Sequence, residues 1–438
     1  MKQITFDDQF FYKNHRIISF CMMNIELEQM RYALAVILQI IFSYALKKKR
    51  NYNSVFANCI LFVAFGLKSV IFFNLYILMN LIILLLLIEV ERKKAAVLVL
   101  NLIILQVFNR FLEDGVTIAG PLMILSIKFY YVNSEINWTK DTFGQICEYL
   151  FSIPCVLAGP AFSLNDYKNL KKNEQRILKK QISKENEVLN RTQTANETTS
   201  SDYRHRLVNM VKNHFQSHIN LFVNTCLAIQ CLIYMAAYLV LPIIAPVLGI
   251  VNQRIFLRIP HLIVSLYGFK AKYYFVWTVS ELCCNLHGFP NVRNVNVWNV
   301  ETSQDFKGYT DNWNIYVHKW LKEAIFVPAK TYGKFRASMI TFLYSSLWHG
   351  TNLSFFFLFL SIGLIIMPLK RVKTFICAHT PETMAHIFNI VTFNLIFFYY
   401  SMPFVLMNMK KTIAVWKALL FYGHIVLGPF FVMGRSIK

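Results

Sequence analysis

The sequence predicts an all-α protein, a multi-pass transmembrane bundle of roughly ten membrane helices. Three observations carry that expectation. Of the 438 residues, 56% are hydrophobic and 16% aromatic, and mean hydropathy is positive, which is too apolar for a surface facing only water. The apolar residues fall in runs near the ~20 residues a spanning helix needs. The basic residues fall between those runs.

In chain order the apolar runs are 32–46, 55–70, 72–88, 95–108, 221–250, 261–276, 355–367, 387–406 and 414–433. Some are short or interrupted by polar residues and read as re-entrant or buried segments. Pro242 and Pro246 each remove a backbone donor near the end of the 221–250 run, so a kink or break is expected there.

The formal net charge is +22. Its basic clusters, 47–50, 92–94 and 168–180, are spaced as cytoplasmic loops facing anionic headgroups rather than as a nucleic-acid surface. The nine cysteines form no paired CxxC pattern, and the adjacent Cys283 and Cys284 do not suit an ordinary disulfide, so neither a metal site nor a disulfide framework is expected. Asp7, Asp8, Glu26 and Glu28 occupy the region where a cleavable leader carries a basic segment and an apolar core. The first helix is therefore expected both to target and to anchor the chain.

The chain reads as a single membrane domain over 1–438, without internal repeats. Residues 168–206 form a charged, then Thr/Ser/Asn-rich segment between two helical groups, expected as a polar cytosolic loop. Its lysines argue against a lumenal location, so the sequons at Asn190 and Asn196 read as chance matches. A second polar island, 285–322, mixes asparagines, aromatics and paired charges and is expected to be ordered and partly buried.

Within "SSLWHG", 345–350, His349 stands in an apolar stretch. A buried imidazole suggests a functional group facing a cavity; the competing reading is a structural histidine bonded to a carbonyl. "DNWNIYVHKWL", from Asp311, has no glycine or proline and is expected to be helical, with Trp313, Val317 and Trp320 on one stripe and Asn314, His318 and Leu321 on the next. An interfacial helix anchored by two tryptophans would also explain that pattern. Asp114 and Lys128 are read as flanks of an apolar segment, and Gly120-Pro121 and Gly159-Pro160 as breaks or turns. No GxSxG, Walker, HExxH or GxGxxG motif is present.

In order, "GPLMILSIKF" from Gly120, "VLAGPAFSLNDY" from Val156, "WTVSELCCNLHGF" from Trp277, "NVNVWNVETSQDF" from Asn294, "WNIYVHKWL" from Trp313 and "LWHG" from Leu347 resemble the membrane-bound O-acyltransferase family, lysophospholipid branch. The resemblance implies a helical bundle with a tunnel, acyl-CoA as donor without a permanently bound cofactor or metal, a lysophospholipid acceptor and the endoplasmic reticulum membrane. By motif correspondence His349 and Asn314 are the active pair. His349 would take the proton of the attacking glycerol hydroxyl, and Asn314 would orient a reactant or donate to the oxyanion, a contribution of about 3 kcal/mol when well aligned. Trp313, Trp348, Glu281, His318 and Lys319 are the expected substrate-contacting residues. Lys319 and Lys322 would face coenzyme A phosphates or remain solvated. The family motif places no histidine at His318, and His287 is equally unassigned.

Two departures bear on specificity: the branch shows Gly-Tyr where this chain has Ser354 and Phe355, and the segment from Gly288 to Asn294 is short. Two other readings compete, a protein O-acyltransferase of the Wnt- or Hedgehog-modifying type and a non-catalytic lipid-binding membrane protein. Headgroup and acyl-chain preference depend on pocket shape rather than a local motif. Oligomeric state stays open.

Overall fold

A computed structural model describes residues 30–86, 93–111, 118–137, 139–176 and 200–432. The four acidic residues near the start, Asp114, both sequons and positions 177–199 of the charged loop lie outside the described residues. Secondary structure among the described residues is helical, with no strand. The helices are α1 (Met30–Ala45), α2 (Asn53–Leu86), α3 (Lys93–Phe111), α4 (Ala119–Glu135), α5 (Phe143–Leu150), α6 (164–176), α7 (Ser200–Ile244), α8 (Arg258–Leu286) and α9 (Val297–Glu301). They continue as α10 (Phe306–Asn312), α11 (Ile315–Leu321), α12 (Val327–Ala329), α13 (Lys334–His349), α14 (Leu353–His379), α15 (Glu382–Tyr400), α16 (Met402–Leu406), α17 (Met409–Ala418) and α18 (Tyr422–Val432).

Among the described residues, four helical stretches are long and apolar enough to cross a bilayer: Arg50–Leu86, His218–Asn252, Leu353–His379 and Glu382–Tyr400. A fifth crossing arises if α17 and α18, bent by 86°, act as one. The protein is an integral membrane protein, and four to five of the roughly ten expected membrane helices reach spanning length among the described residues. The run 55–70 and the described part of 72–88 fall in a single element, α2, whose chain breaks at Gly66 (φ 83°, ψ 177°). With 17 and 16 residues, α4 and α13 rise only about 25 Å, short of a ~30 Å hydrocarbon core. The 261–276 run belongs to α8, which carries Lys270, Lys272 and Glu281.

The break in α2 frees carbonyls that a continuous helix would use. Arg31 of α1 supplies the donors, with Nε 3.1 Å from the Val63 oxygen and Nη2 3.4 Å from the Phe62 oxygen. The break anticipated near Pro242 and Pro246 is present: α7 stops at Ile244, and a 3-10 turn follows over Val247–Asn252.

Lys128 is not a flank. It sits inside α4, 1% exposed, and its Nζ donates to the terminal carbonyls of α5, Tyr149 at 2.9 Å and Leu150 at 3.1 Å. A cation on the final carbonyls of a helix suits the helix dipole. Of the two Gly-Pro pairs, Pro121 lies in the first turn of α4, where its missing N–H costs nothing. Gly159 permits a close approach, since a Cβ there would lie 2.4 Å from Cys155 Cα.

The core divides into two clusters. One gathers α1 to α5 with Cys283, Cys284, Val317, Trp320 and Trp348. The other gathers much of α8 with Val300, Tyr309 and residues of α14 to α18, and Trp313 packs against it. Trp348 thus belongs to one cluster and Trp313 to the other. Their neighbours in sequence, His349 and Asn314, stand at the seam.

Candidate active site

α13 ends on His349 because Gly350 (φ 147°) turns the chain away, while its N–H still reaches the Ser346 carbonyl at 3.2 Å. Gly350 also admits a ring: a Cβ there would meet Phe355 at 2.8 Å. Trp348 anchors this helix end. It is 3% exposed, donates Nε1–H to Ser126 Oγ at 2.9 Å and packs on Trp320 with centroids 5.4 Å apart. Gln106 of α3 donates to the Leu347 carbonyl. One residue is about 100° of helix turn, so fixing Trp348 leaves His349 facing α14 and α16.

There the imidazole lies among Phe359 (5.0 Å, stacked), Phe355 (5.6 Å) and Phe404 (5.6 Å, edge-on). It makes no hydrogen bond among the described residues, so the reading of a histidine tied to a carbonyl does not hold in this structure. α13 is not among the candidate spans. Burial lowers the His349 pKa from 6.5 to about 4, because the charged form loses hydration without gaining a partner. As a whole residue His349 is half-buried.

The expected continuous helix from Asp311 is interrupted. α10 ends at Asn312, Trp313 is extended (φ −102°, ψ 122°), and Asn314 is left-handed (φ 48°, ψ 56°) before α11 begins. Asparagine tolerates that conformation better than most residues. A neighbouring segment braces the break: Asn296 N–H donates to the Asn312 carbonyl at 3.0 Å, and Ile315 N–H to the Asn294 carbonyl at 2.9 Å. The two tryptophans are not interfacial anchors. Trp320 is 1% exposed, and Trp313 packs against Trp277 at 4.9 Å, Tyr273 at 5.6 Å and Tyr309 at 5.6 Å.

No hydrogen bond joins Asn314 to His349. Rings run between their surroundings: Trp313 to Tyr273 (5.6 Å), Tyr273 to Phe269 (5.5 Å), Phe269 to Phe404 (5.9 Å) and Phe404 to His349 (5.6 Å). These contacts join the aromatic surroundings of Asn314 and His349 through α8 and α16.

Of the remaining residues singled out from the sequence, Glu281, His318, Lys319 and His287 are engaged with protein. Glu281 pairs with Arg293 at 3.3 Å, and burial raises its carboxyl pKa against that partner. His318 Nε2 lies 3.3 Å from Asp311 Oδ1, its pKa lowered by burial. Lys319 Nζ lies 2.8 Å from Asp166 Oδ2, while Lys322 is exposed. His287 is fully buried and bonded through Nδ1 to the Ser43 carbonyl at 3.0 Å, a structural role. Among the described residues no three His, Cys, Asp or Glu side chains gather as a metal site. Sequence reasoning missed Ser126, Gln106 and Asn294, whose importance comes from partners distant in the chain.

Residues 142–410 match the sequence model of the membrane-bound O-acyltransferase family. Similar proteins include a lysophospholipid acyltransferase of Saccharomyces cerevisiae, 27% identical over 215 residues, 43% of this chain and 35% of the relative. Membrane-bound glycerophospholipid O-acyltransferase 1 of Mus musculus is 30% identical over 187 residues, 39% of this chain and 37% of the relative. A lysophospholipid acyltransferase of Schizosaccharomyces pombe is 26% identical over 202 residues, 40% of each. The matched stretches therefore span well under half the length of these relatives.

Proposed function

This chain belongs to the membrane-bound O-acyltransferase family, and from that premise we propose that it transfers a fatty acyl chain from acyl-CoA to the free glycerol hydroxyl of a lysophospholipid. The observation that carries the reading is His349: an unbonded imidazole, kept neutral by burial, among phenylalanines at the seam of the molecule. The names of the matched relatives favour the phospholipid acceptor over a protein one.

The hydroxyl oxygen attacks the thioester carbonyl as His349 takes its proton, giving a tetrahedral oxyanion and an imidazolium. Asn314 stabilises the oxyanion. Collapse expels the coenzyme A sulfur, which recovers the proton from His349, so the base is regenerated with each turnover. Trp313, Tyr273, Phe269 and Phe404 shelter the acyl chain. Trp348 positions His349 through Ser126. Lys319 is held by Asp166, which leaves exposed Lys322 as the freer cation for coenzyme A phosphates. Phospholipid remodelling in the endoplasmic reticulum membrane is the setting in which this reaction fits.

The test is acyl transfer by membranes bearing the parent or His349→Ala at equal abundance, with a panel of lysophospholipids and acyl-CoAs read by mass spectrometry. The parent yields phospholipid, and the variant loses at least about a hundredfold in rate. Equal product from both would remove His349 as the base, and acylation of a peptide but no lysolipid would move the acceptor to protein.

A further inference from the structure

We infer that Asn294 is a positioning residue that decides which end of the Asn314 amide meets the substrate, making Asn314 a hydrogen-bond donor to the oxyanion. The inference rests on the reading of Asn314 and His349 as the reacting pair.

The oxygen and nitrogen ends of an amide are told apart by their partners. At Asn294 the partner is unambiguous. The backbone N–H of Tyr316 lies 3.2 Å from Oδ1, and a backbone donor requires an acceptor. The Nδ2 end of Asn294 therefore faces Asn314, at 3.1 Å from its Oδ1. Asn314 must present that oxygen to meet an N–H, so its own Nδ2 points elsewhere, without a partner among the described residues.

Asn294 is 2% exposed, so water does not compete for these bonds, and its carbonyl also holds Ile315 N–H at 2.9 Å. One buried asparagine thus fixes both the left-handed backbone at Asn314 and its side-chain orientation. An amide N–H cannot accept the hydroxyl proton, which leaves that step to His349. It can donate to a developing negative charge.

Aspartate at position 294 would reverse the arrangement. One carboxylate oxygen still accepts from Tyr316, but the other requires a donor, so Asn314 turns its Nδ2 inward and its oxygen toward the reaction. For Asn294→Asp we expect kcat about a hundredfold lower, with the acyl-CoA KM within about twofold. In an Asn314→Ala background the same change should cost nothing further, as expected for two residues acting through one group; a merely structural role would move both backgrounds alike.

Asn314→Asp separates orientation from catalysis. It keeps an acceptor facing Asn294, so its unfolding midpoint in detergent should match the parent while acyl transfer is lost. A sharply lowered midpoint for Asn314→Asp, or parental kcat for Asn294→Asp, would overturn the inference. The midpoint needs no turnover and does not depend on Asn294→Asp folding. It decides the orientation even if the parent acylates no lysolipid, an outcome that would sink the proposed function instead.

Discussion

The base proposed here for acyl transfer must be neutral before the chemistry begins, and the surroundings of His349 would meet that need. Burial among Phe355, Phe359 and Phe404, which offer no carboxylate to offset it, lowers the pKa to about 4. The sign follows: a lowered pKa keeps the basic form present as pH falls, and activity limited by His349 survives below the ordinary histidine range. Lysolipid acylation by the parent should stay nearly constant from about pH 7.5 to about pH 5.5. A half-loss near 6.5 would show that the ring is hydrated in the working enzyme. As a candidate, His349 could be picked out from the sequence because its WHG setting occurs in order with other matching stretches. Asn294 was not, since "NVNVWNVE" offers several asparagines and only the fold shows which one is enclosed with an amide and two backbone donors.

At the scale of elements, helices were legible and their ends were not. Apolar runs mark buried or lipid-facing segments, but a run does not say whether the chain spans the bilayer, breaks within it or packs as a short helix in the core. The break after Trp313 was invisible because it needs no proline or glycine; Asn314 itself supplies the left-handed residue. The break in α2 depends on Gly66, whose backbone (φ 83°, ψ 177°) lies where a Cβ is disfavoured. A Cβ there would also stand 3.4 Å from the Arg31 Nη2 that caps the freed carbonyls. Gly66→Ala should therefore lower unfolding stability by about 2 kcal/mol, read from the thermal midpoint of protein extracted in mild detergent. An unchanged midpoint would mean that α2 straightens freely and that its bend is incidental.

Across the whole molecule, charge placement and contacts together define one end. Arg50, the last residue of the basic 47–50 cluster, pairs with Glu174 of α6 and donates to the His287 carbonyl at the end of α8. Lys168 pairs with Asp141, Lys171 with Glu148, and Lys319 of α11 with Asp166. These contacts bring the first basic loop, α6 and the segment following Asn314 to a common side. Basic loops favour the cytoplasmic side, which is also where the proposed donor, acyl-CoA, would enter. Topology and the proposed donor thus make one joint prediction. In a background with the exposed Cys59 and Cys377 replaced by serine, Lys48→Cys and Lys322→Cys should each react with a membrane-impermeant maleimide in sealed microsomes, before any detergent is added. Both positions are exposed, so accessibility tests sidedness rather than burial. Labelling of both only after permeabilisation would place this end in the lumen, away from cytosolic acyl-CoA, and the donor assignment would fall with the topology. Labelling of one alone would show that the two loops lie on opposite sides, in conflict with the Lys319–Asp166 contact that ties α11 to α6.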